Sequence, residues 1–140
     1  MTPFTFICPQ TGQPLQQVSD DTLANADGTI CYRRIEGVWH MLPPDRVKHF
    51  QQFIEDYEHI RSSEGRGAPS ADWYRSLPFP AENTPFYGDW LIRAHSYTTL
   101  LDLISGKQQH TLDLGGGNGW LSNRLTEHGH CVATVDLLTN

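Results

Sequence analysis

The feature that most constrains the fold is a run of glycines at residues 115–119, between two segments of different character. Residues 111–114 before it, with Leu112 and Leu114, predict a short buried strand. The spacing of apolar side chains over residues 120–128 predicts an amphipathic helix. Residues 131–135 predict a second apolar strand, and Asp136 follows it. Strand, glycine loop, helix and strand in this order predict half of a doubly wound nucleotide-binding α/β fold.

The spacing of the glycines shows which nucleotide-binding sequence motif the loop matches. The dinucleotide fingerprint G-x-G-x-x-G/A fails, because Trp120 or Ser122 stands where its last small residue belongs. A phosphate-binding Walker A loop is excluded, since no Gly-Lys-Ser/Thr follows the glycines. The pattern D/E-x-G-x-G-x-G is matched in full by Asp113, Gly115, Gly117 and Gly119.

This loop resembles motif I of class I S-adenosylmethionine-dependent methyltransferases. The likeness to bacterial enzymes of this class extends to an earlier part of the chain, at Tyr57, Arg61, residues 64–67, Tyr74, Arg75 and residues 93–97. The resemblance implies an incomplete Rossmann-like methyltransferase fold with S-adenosylmethionine as its cofactor. It further implies that the methionine half of the cofactor is held by Asp113, Gly115, Gly116, Gly117, Asn118 and Gly119.

The acidic residue after the second strand fits the same cofactor. A carboxylate in this place can accept both hydrogen bonds from an adenosine ribose diol, as in the related dinucleotide-binding folds. We therefore predict that Asp136 holds the ribose. The rival enzyme class, a nicotinamide or flavin oxidoreductase, is disfavoured by Trp120 and Ser122.

No catalytic residue is assigned from the sequence. Methyl transfer depends mainly on alignment of the nucleophile, helped by a base. In the methyltransferases that the loop resembles, such residues usually follow the fourth strand, whereas this sequence ends at Asn140, just past the second. We therefore expect the N-terminal part of a longer enzyme, and we expect residues 1–140 alone to self-associate through their uncovered strands. The non-enzyme alternative is a binding or regulatory module that a partner completes.

Residues 1–44 predict a small β-rich module, because short apolar segments alternate with turn-forming residues. Those segments are residues 4–7, 29–32 and 38–39. The pair Asp27-Gly28 predicts a hairpin turn, since glycine tolerates a positive φ and aspartate often does.

Two cysteines of this module raise the question of zinc. Cys8 and Cys31 lie in surroundings that resemble small zinc-ribbon-like domains, in which each knuckle supplies two cysteines. Here Thr11 and Arg34 stand in place of the second cysteine of each knuckle. We therefore predict a degenerate zinc-ribbon-like module with no bound metal. The histidines that could substitute, at a spacing that fits no zinc motif, are His40 and His49.

Residues 45 to about 64 predict a helix, because their apolar side chains recur at a spacing near 3.6. Asp45 is the predicted N-cap, since it follows two prolines and has an acceptor side chain. Gly65 and Gly67 are predicted to end the helix.

An aromatic and proline-rich arm at residues 68 to about 92 completes the middle region, 45–93. Its aromatic side chains either pack on a neighbouring domain or form a substrate lid, since long irregular loops are often functional. The truncated cofactor-binding domain, residues 94–140, then begins with a helix that Gly106 is predicted to end, and Gly129 is predicted to end the helix after the glycine loop. At this junction Arg93 and His95 are candidates for contact with cofactor or substrate.

The composition limits the classes of partner and the cellular compartment that we expect for this chain. Lys and Arg number 10 against 16 Asp and Glu, and the net charge of −6 argues against nucleic acid as a partner. No run of about 18 apolar residues and no signal peptide is visible, so we expect no membrane partner. The three widely spaced cysteines predict reduced thiols in the cytoplasm. The methyl acceptor is expected to be a small molecule or a protein.

Overall fold

The computed structural model describes residues 4–65 and 70–137. The chain divides into two compact units, Met1–His59 and Ile60–Asn140. The first contains an antiparallel sheet, and the second contains helices and a small parallel sheet. The mixed α/β class predicted from the sequence is therefore confirmed. Among the described residues, no helix has the length and apolar character needed to cross a membrane.

The first unit is built on a four-stranded antiparallel meander in the order β1-β2-β3-β4. Its strands are β1 (Gln16–Ser19), β2 (Thr22–Ala24), β3 (Cys31–Ile35) and β4 (Val38–His40). A small core lies beside the sheet, formed by the buried side chains of Cys8, Leu15, Leu23 and Tyr32. Four partly buried side chains pack against this core, namely Phe6, Ile30, Trp39 and Met41.

The connection between β2 and β3 is the predicted hairpin. Gly28 has a φ of +72°, and the Asp27 carboxylate accepts hydrogen bonds from the backbone N–H and the hydroxyl of Thr29. The apolar segment at residues 4–7 is not a strand, and within it Ile7 forms an isolated bridge with Pro14. That bridge closes a tight loop around Cys8, whose N–H donates to the Gln13 carbonyl.

Helix α1 (Pro44–Ser63) begins one residue before the predicted N-cap. The carbonyl of Pro43 accepts the N–H groups of Arg46 and Val47, so Asp45 lies inside the first turn and is not the cap. Pro44 suits the first helical position, where its missing N–H costs nothing. Gly65, with a φ of +69°, follows the helix as predicted. Gly67, the second predicted terminator, lies outside the described residues.

The second unit contains α2 (Ala71–Ser76), α3 (Tyr87–Ile104) and α4 (Trp120–Glu127). The expectation of an irregular arm over residues 68 to 92 is wrong in part, because α2 lies within it and α3 begins at Tyr87. Ser70 caps α2 by accepting the Trp73 N–H. Gly106, with a φ of +80°, follows α3 as the sequence predicts.

Strands β5 (His110–Leu114) and β6 (Cys131–Val135) form a parallel pair joined through α4. In its register Leu112 lies opposite Ala133 and Leu114 lies opposite Val135. Helix α4 packs against β6, where its Leu125 is fully buried. The exposed fractions of Leu112, Leu114 and Val135 are 58%, 72% and 53%, so one apolar face of the pair is bare. The sequence predicts too little packing for Leu114, Val135, Leu137 and Leu138. Leu114 and Val135 are exposed as predicted, whereas Leu137 is half-buried and Leu138 lies outside the described residues.

Candidate functional site

The glycine loop lies at the carboxyl end of the parallel pair, where β5 turns into α4. Gly115, Gly117 and Gly119 have φ values of +69°, +55° and +73°, a region that other residues rarely adopt. A Cβ atom added at any of the three would meet no heavy atom within 4 Å. These positions therefore need glycine for backbone conformation, and their outer surface is open to a ligand.

Gly116 is required for a different reason. A Cβ atom there would lie 2.3 Å from Thr134 Cγ2 and 2.9 Å from Asp113 Oδ2. The loop backbone thus packs directly on β6, and any side chain at this position would push it away. The spacing pattern treats residue 116 as variable, so the sequence did not reveal that its glycine is the most sterically demanding of the run.

The loop and the acid after β6 are joined by a hydrogen bond. The Gly117 N–H donates to Asp136 Oδ2 over 2.7 Å, while the Gly115 N–H donates to the Val135 carbonyl over 2.8 Å. The first bond fixes the orientation of the Asp136 carboxylate, and the second holds the loop to the end of the strand. Two of the residues predicted from the sequence, Gly117 and Asp136, are therefore in direct contact.

Asp113 has its own hydrogen-bond partner, Ser122 of helix α4. Its Oδ2 accepts a hydrogen bond of 2.8 Å from the Ser122 hydroxyl, and the Thr134 hydroxyl donates in turn to Ser122. This hydroxyl chain ties β5, α4 and β6 together beneath the glycines. Sequence reasoning missed it, although the available signal was a polar threonine inside an apolar strand.

Asn118 shapes the entry into α4. Its side-chain oxygen accepts the Trp120 N–H over 3.3 Å, and the Gly119 carbonyl accepts the Asn123 N–H over 2.9 Å. The first turn of a helix has N–H groups without intrahelical partners, and Asn118 satisfies one of them. In this structure the Asn118 side chain thus accepts a hydrogen bond from the first turn of α4.

The aromatic side chains of the arm pack against α3 and α4. The ring centroids of Trp73 and Trp90 are 5.7 Å apart, and those of Trp90 and Trp120 are 6.0 Å apart. Tyr97 makes edge contacts with Trp120 and with Phe79, at 5.9 and 6.1 Å. Offset and edge-on arrangements of this kind are the favourable geometry for aromatic pairs. These contacts lie within the second unit, and the alternative interpretation of the arm as a substrate lid stays a prediction.

Arg124 fastens the same arm to α4 through its guanidinium. Nε donates to the Leu77 carbonyl and a terminal nitrogen donates to the Arg75 carbonyl, each over 2.7 Å. Arg124 also pairs with Glu127 at 2.9 Å. The two carbonyls lie at the C-terminal end of α2, where a cation is favourable. The sequence offered no signal for this contact, since the partners are far apart along the chain.

Two buried polar atoms of this cluster, Trp73 Nε1 and Tyr97 Oη, have no hydrogen-bond partner among the described residues. Burial raises the pKa of Tyr97 above its ordinary value. Of the two candidates at the start of the cofactor domain, Arg93 stacks on Trp90, with the guanidinium carbon 4.4 Å from the ring centroid. His95 is exposed on α3.

The zinc question concerns the first unit. Cys8 is fully buried and its sulfur lies 3.4 Å from the Tyr32 hydroxyl, whereas Cys31 is exposed. Hydrogen bonds from the hydroxyls of Thr11, chiefly, and Tyr32 lower the pKa of Cys8 to about 7, although burial opposes this. In the described parts of the chain, no three His, Cys, Asp or Glu side chains are grouped to hold a metal ion. The absence of zinc stays a prediction.

Comparisons of the chain with protein-family models, with curated proteins and with solved structures find no match. The case for a function therefore rests on the residues and geometry of the chain itself.

Proposed function

We propose that this chain binds S-adenosylmethionine at the glycine loop and belongs to an S-adenosylmethionine-dependent methyltransferase. The observation that carries the proposal is the 2.7 Å hydrogen bond from the Gly117 N–H to Asp136 Oδ2. It joins the loop to the acid at the carboxyl end of two parallel strands, the edge at which open α/β sheets bind nucleotides. A single ligand there can touch both.

The residues present fit an adenosine-containing cofactor. The Asp136 carboxylate is an acceptor, as the two hydroxyls of a ribose require, and its orientation is fixed by Gly117. Gly115, Gly117 and Gly119 leave the outer surface of the loop open, so a ligand can approach the backbone closely. When bound, S-adenosylmethionine supplies a methyl group already activated on a sulfonium sulfur.

The third position of the dinucleotide fingerprint supports this choice over a nicotinamide or flavin. That position needs Gly or Ala, which have no polar side-chain group, so that the helix can pack closely on the strand. Here Ser122 occupies it, and its hydroxyl bridges Asp113 and Thr134. Helix α4 is thus held to β5 and β6 by side-chain hydrogen bonds at the position where a dinucleotide-binding fold relies on close packing.

The proposed acceptor is a small molecule or a protein side chain, and not a nucleic acid, because the net charge is −6. The proposed compartment is the cytoplasm, since none of the three cysteines is in a disulfide. No residue is proposed as the catalytic base.

A titration followed by NMR tests the cofactor assignment. S-Adenosylhomocysteine should shift the backbone amide signals of residues 115–119 and of Asp136 more than those of β1 or β3. NAD, added in parallel, should leave these signals unmoved. Shifts with NAD and none with S-adenosylhomocysteine would overturn the proposal in favour of an oxidoreductase.

One observation favours the second candidate, a binding module that a partner completes. Leu112, Leu114 and Val135 leave the strand pair with an uncovered apolar face, although parallel sheets are usually covered on both sides. Under this alternative a partner protein would cover that face and S-adenosylhomocysteine would not bind, so the same titration separates the two candidates.

A further inference from the structure

A pocket of about 160 Å³ lies between α3 and the start of α4. Its lining residues are Arg93, Ser96, Tyr97, Leu100, Trp120 and Leu121. Trp120 directly follows the glycine loop, so the pocket adjoins the proposed cofactor site. Neither residues 115–119 nor Asp136 line it, and it is therefore a separate compartment.

The walls of this pocket are mainly apolar. Tyr97 and Trp120 stand edge to face, with ring centroids 5.9 Å apart, and Leu100 and Leu121 complete the lining around them. An apolar cavity of about 150 Å³ holds one benzene molecule. The pocket thus has room for one ring-sized group.

Arg93 is the charged member of the lining. Its guanidinium carbon lies 4.4 Å from the centroid of the Trp90 ring, a cation–π contact that restrains the side chain. A guanidinium presents paired N–H donors that match a carboxylate. A restrained Arg93 beside an apolar pocket therefore selects a ligand with an apolar body and an anionic end.

We infer that this pocket binds the methyl acceptor, and that the acceptor is a small aromatic carboxylate whose ring enters the pocket while its carboxylate pairs with Arg93. The inference rests on the proposed methyltransferase function and adds the substrate class.

The test uses the full chain with benzoate as the probe and benzamide as its uncharged counterpart of the same shape. Binding is followed by the NMR signal of the Trp120 indole N–H, assigned with Trp120→Phe. Benzoate should shift this signal with a dissociation constant on the order of millimolar, since a single ring makes few contacts. Benzamide should bind roughly fivefold to tenfold more weakly, because it lacks the charge that Arg93 recognises.

Two variants test whether Arg93 supplies the positive charge that recognises the benzoate carboxylate. Arg93→Gln should weaken benzoate binding roughly fivefold to tenfold and leave benzamide unchanged. Lys107→Gln removes the same charge from an exposed residue that does not line the pocket, and it should change neither. Equal losses in the two variants would overturn the inference, as would equal binding of benzoate and benzamide to the unmodified chain.

Saturation with S-adenosylhomocysteine separates this inference from the proposed function. If both ligands bind together, the pocket is distinct from the cofactor site, as we infer. Competition between them would mean that the pocket holds part of the cofactor, which overturns the inference but not the methyltransferase. Failure of S-adenosylhomocysteine to bind would overturn the methyltransferase and, with it, the acceptor role. Binding of S-adenosylhomocysteine without any benzoate response would overturn the inference alone.

Discussion

The antiparallel meander of the first unit and the parallel strand pair of the second differ in how far they bury their apolar side chains. Leu23, in β2, is 2% exposed within a core that the module closes with its own strands and loops. Leu114, in β5, is 72% exposed although it has an apolar neighbour, Val135, in β6. A short antiparallel sheet needs cover on one face, whereas a parallel sheet normally needs it on both.

The comparison indicates that the conformation of the glycine loop does not depend on burial of the apolar side chains of β5 and β6. Its shape comes from positive φ values and from short-range bonds, such as those of Gly115 to Val135 and of Gly117 to Asp136. These contacts form within one β-loop-α-β segment. The residues that could hold a ligand are therefore built locally, while the apolar face of the same segment remains bare.

The largest expected effect concerns matched leucine truncations in the two sheets. Leu23→Ala should lower the free energy of unfolding of the first unit by about 2 to 5 kcal/mol, because it removes buried contacts and leaves a cavity. Leu114→Ala should cost about 0.5 kcal/mol or less in the second unit, since the side chain is mostly in contact with water. Denaturant unfolding followed through amide signals of each unit measures both.

A large cost for Leu114→Ala would contradict this contrast and would mean that the bare face is covered in solution. Light scattering over a range of protein concentrations then shows whether other copies of the chain cover this face. Association that grows with concentration, and that Leu114→Lys prevents, would identify other copies of the chain as the cover. Leu103→Lys, at a leucine of α3 that is 79% exposed, is the control.

A smaller effect is expected from adding a methyl group at Gly116, where the loop packs directly on β6. Gly116→Ala should destabilise the second unit by about 1 to 3 kcal/mol, because its Cβ atom would lie 2.3 Å from a methyl carbon of Thr134. Gly88→Ala places the same methyl group in helix α3, where nothing lies within 4 Å, and should stabilise by up to about 1 kcal/mol. Similar effects of the two changes would show that the loop does not pack on β6 as described.

In the first unit a pH effect should be visible at the Cys8 thiol. Its pKa is lowered from 9.0 to about 7, so the folded module favours the thiolate. Stability should therefore rise with pH between about 7 and 9, and this gain should be lost as the pH falls through about 7. Thr11→Val removes the largest cause and should flatten the dependence. The Cys8 Cβ chemical shift reports the titration, and a midpoint unchanged by Thr11→Val would refute the assignment.

The smallest expected effect is that of a chelator, which should leave the first unit unchanged. Thr11 and Arg34 stand where a zinc ribbon has its second pair of cysteines. Metal analysis of protein purified without chelator should accordingly find far less than one zinc per chain. Stoichiometric zinc that disappears with Cys8→Ser would show that other side chains complete a metal site.

The sequence predicted those parts of the fold whose signals are local. The parallel pair, α4 and the glycine-marked ends of three helices follow from apolar spacing and from residues such as Gly65, Gly106 and Gly129. The early start of α3 was missed, because the prolines and aromatic residues before it hide the helical spacing. The start of α1 was misplaced, since the proline at its first turn outweighs the capping ability of Asp45.

The candidate site was predictable to the same degree. Glycine spacing and the acid after β6 pointed to Gly117 and Asp136, which the structure brings into contact. The Ser122 bridge and the Arg124 anchor depend on which elements pack together, and no local pattern encodes that. Contacts between distant segments therefore had to come from the structure.

The most direct test of the central claim, that this locally built loop holds S-adenosylmethionine, is calorimetry with S-adenosylhomocysteine. The chain should bind it, and Asp136→Ala should weaken binding by about 1.5 to 3 kcal/mol, the scale of lost hydrogen bonds to a charged group. Asp102→Ala, which removes an exposed carboxylate of α3, should leave binding unchanged. Binding of NAD with no heat from S-adenosylhomocysteine, or equal affinities for the two variants, would contradict the account.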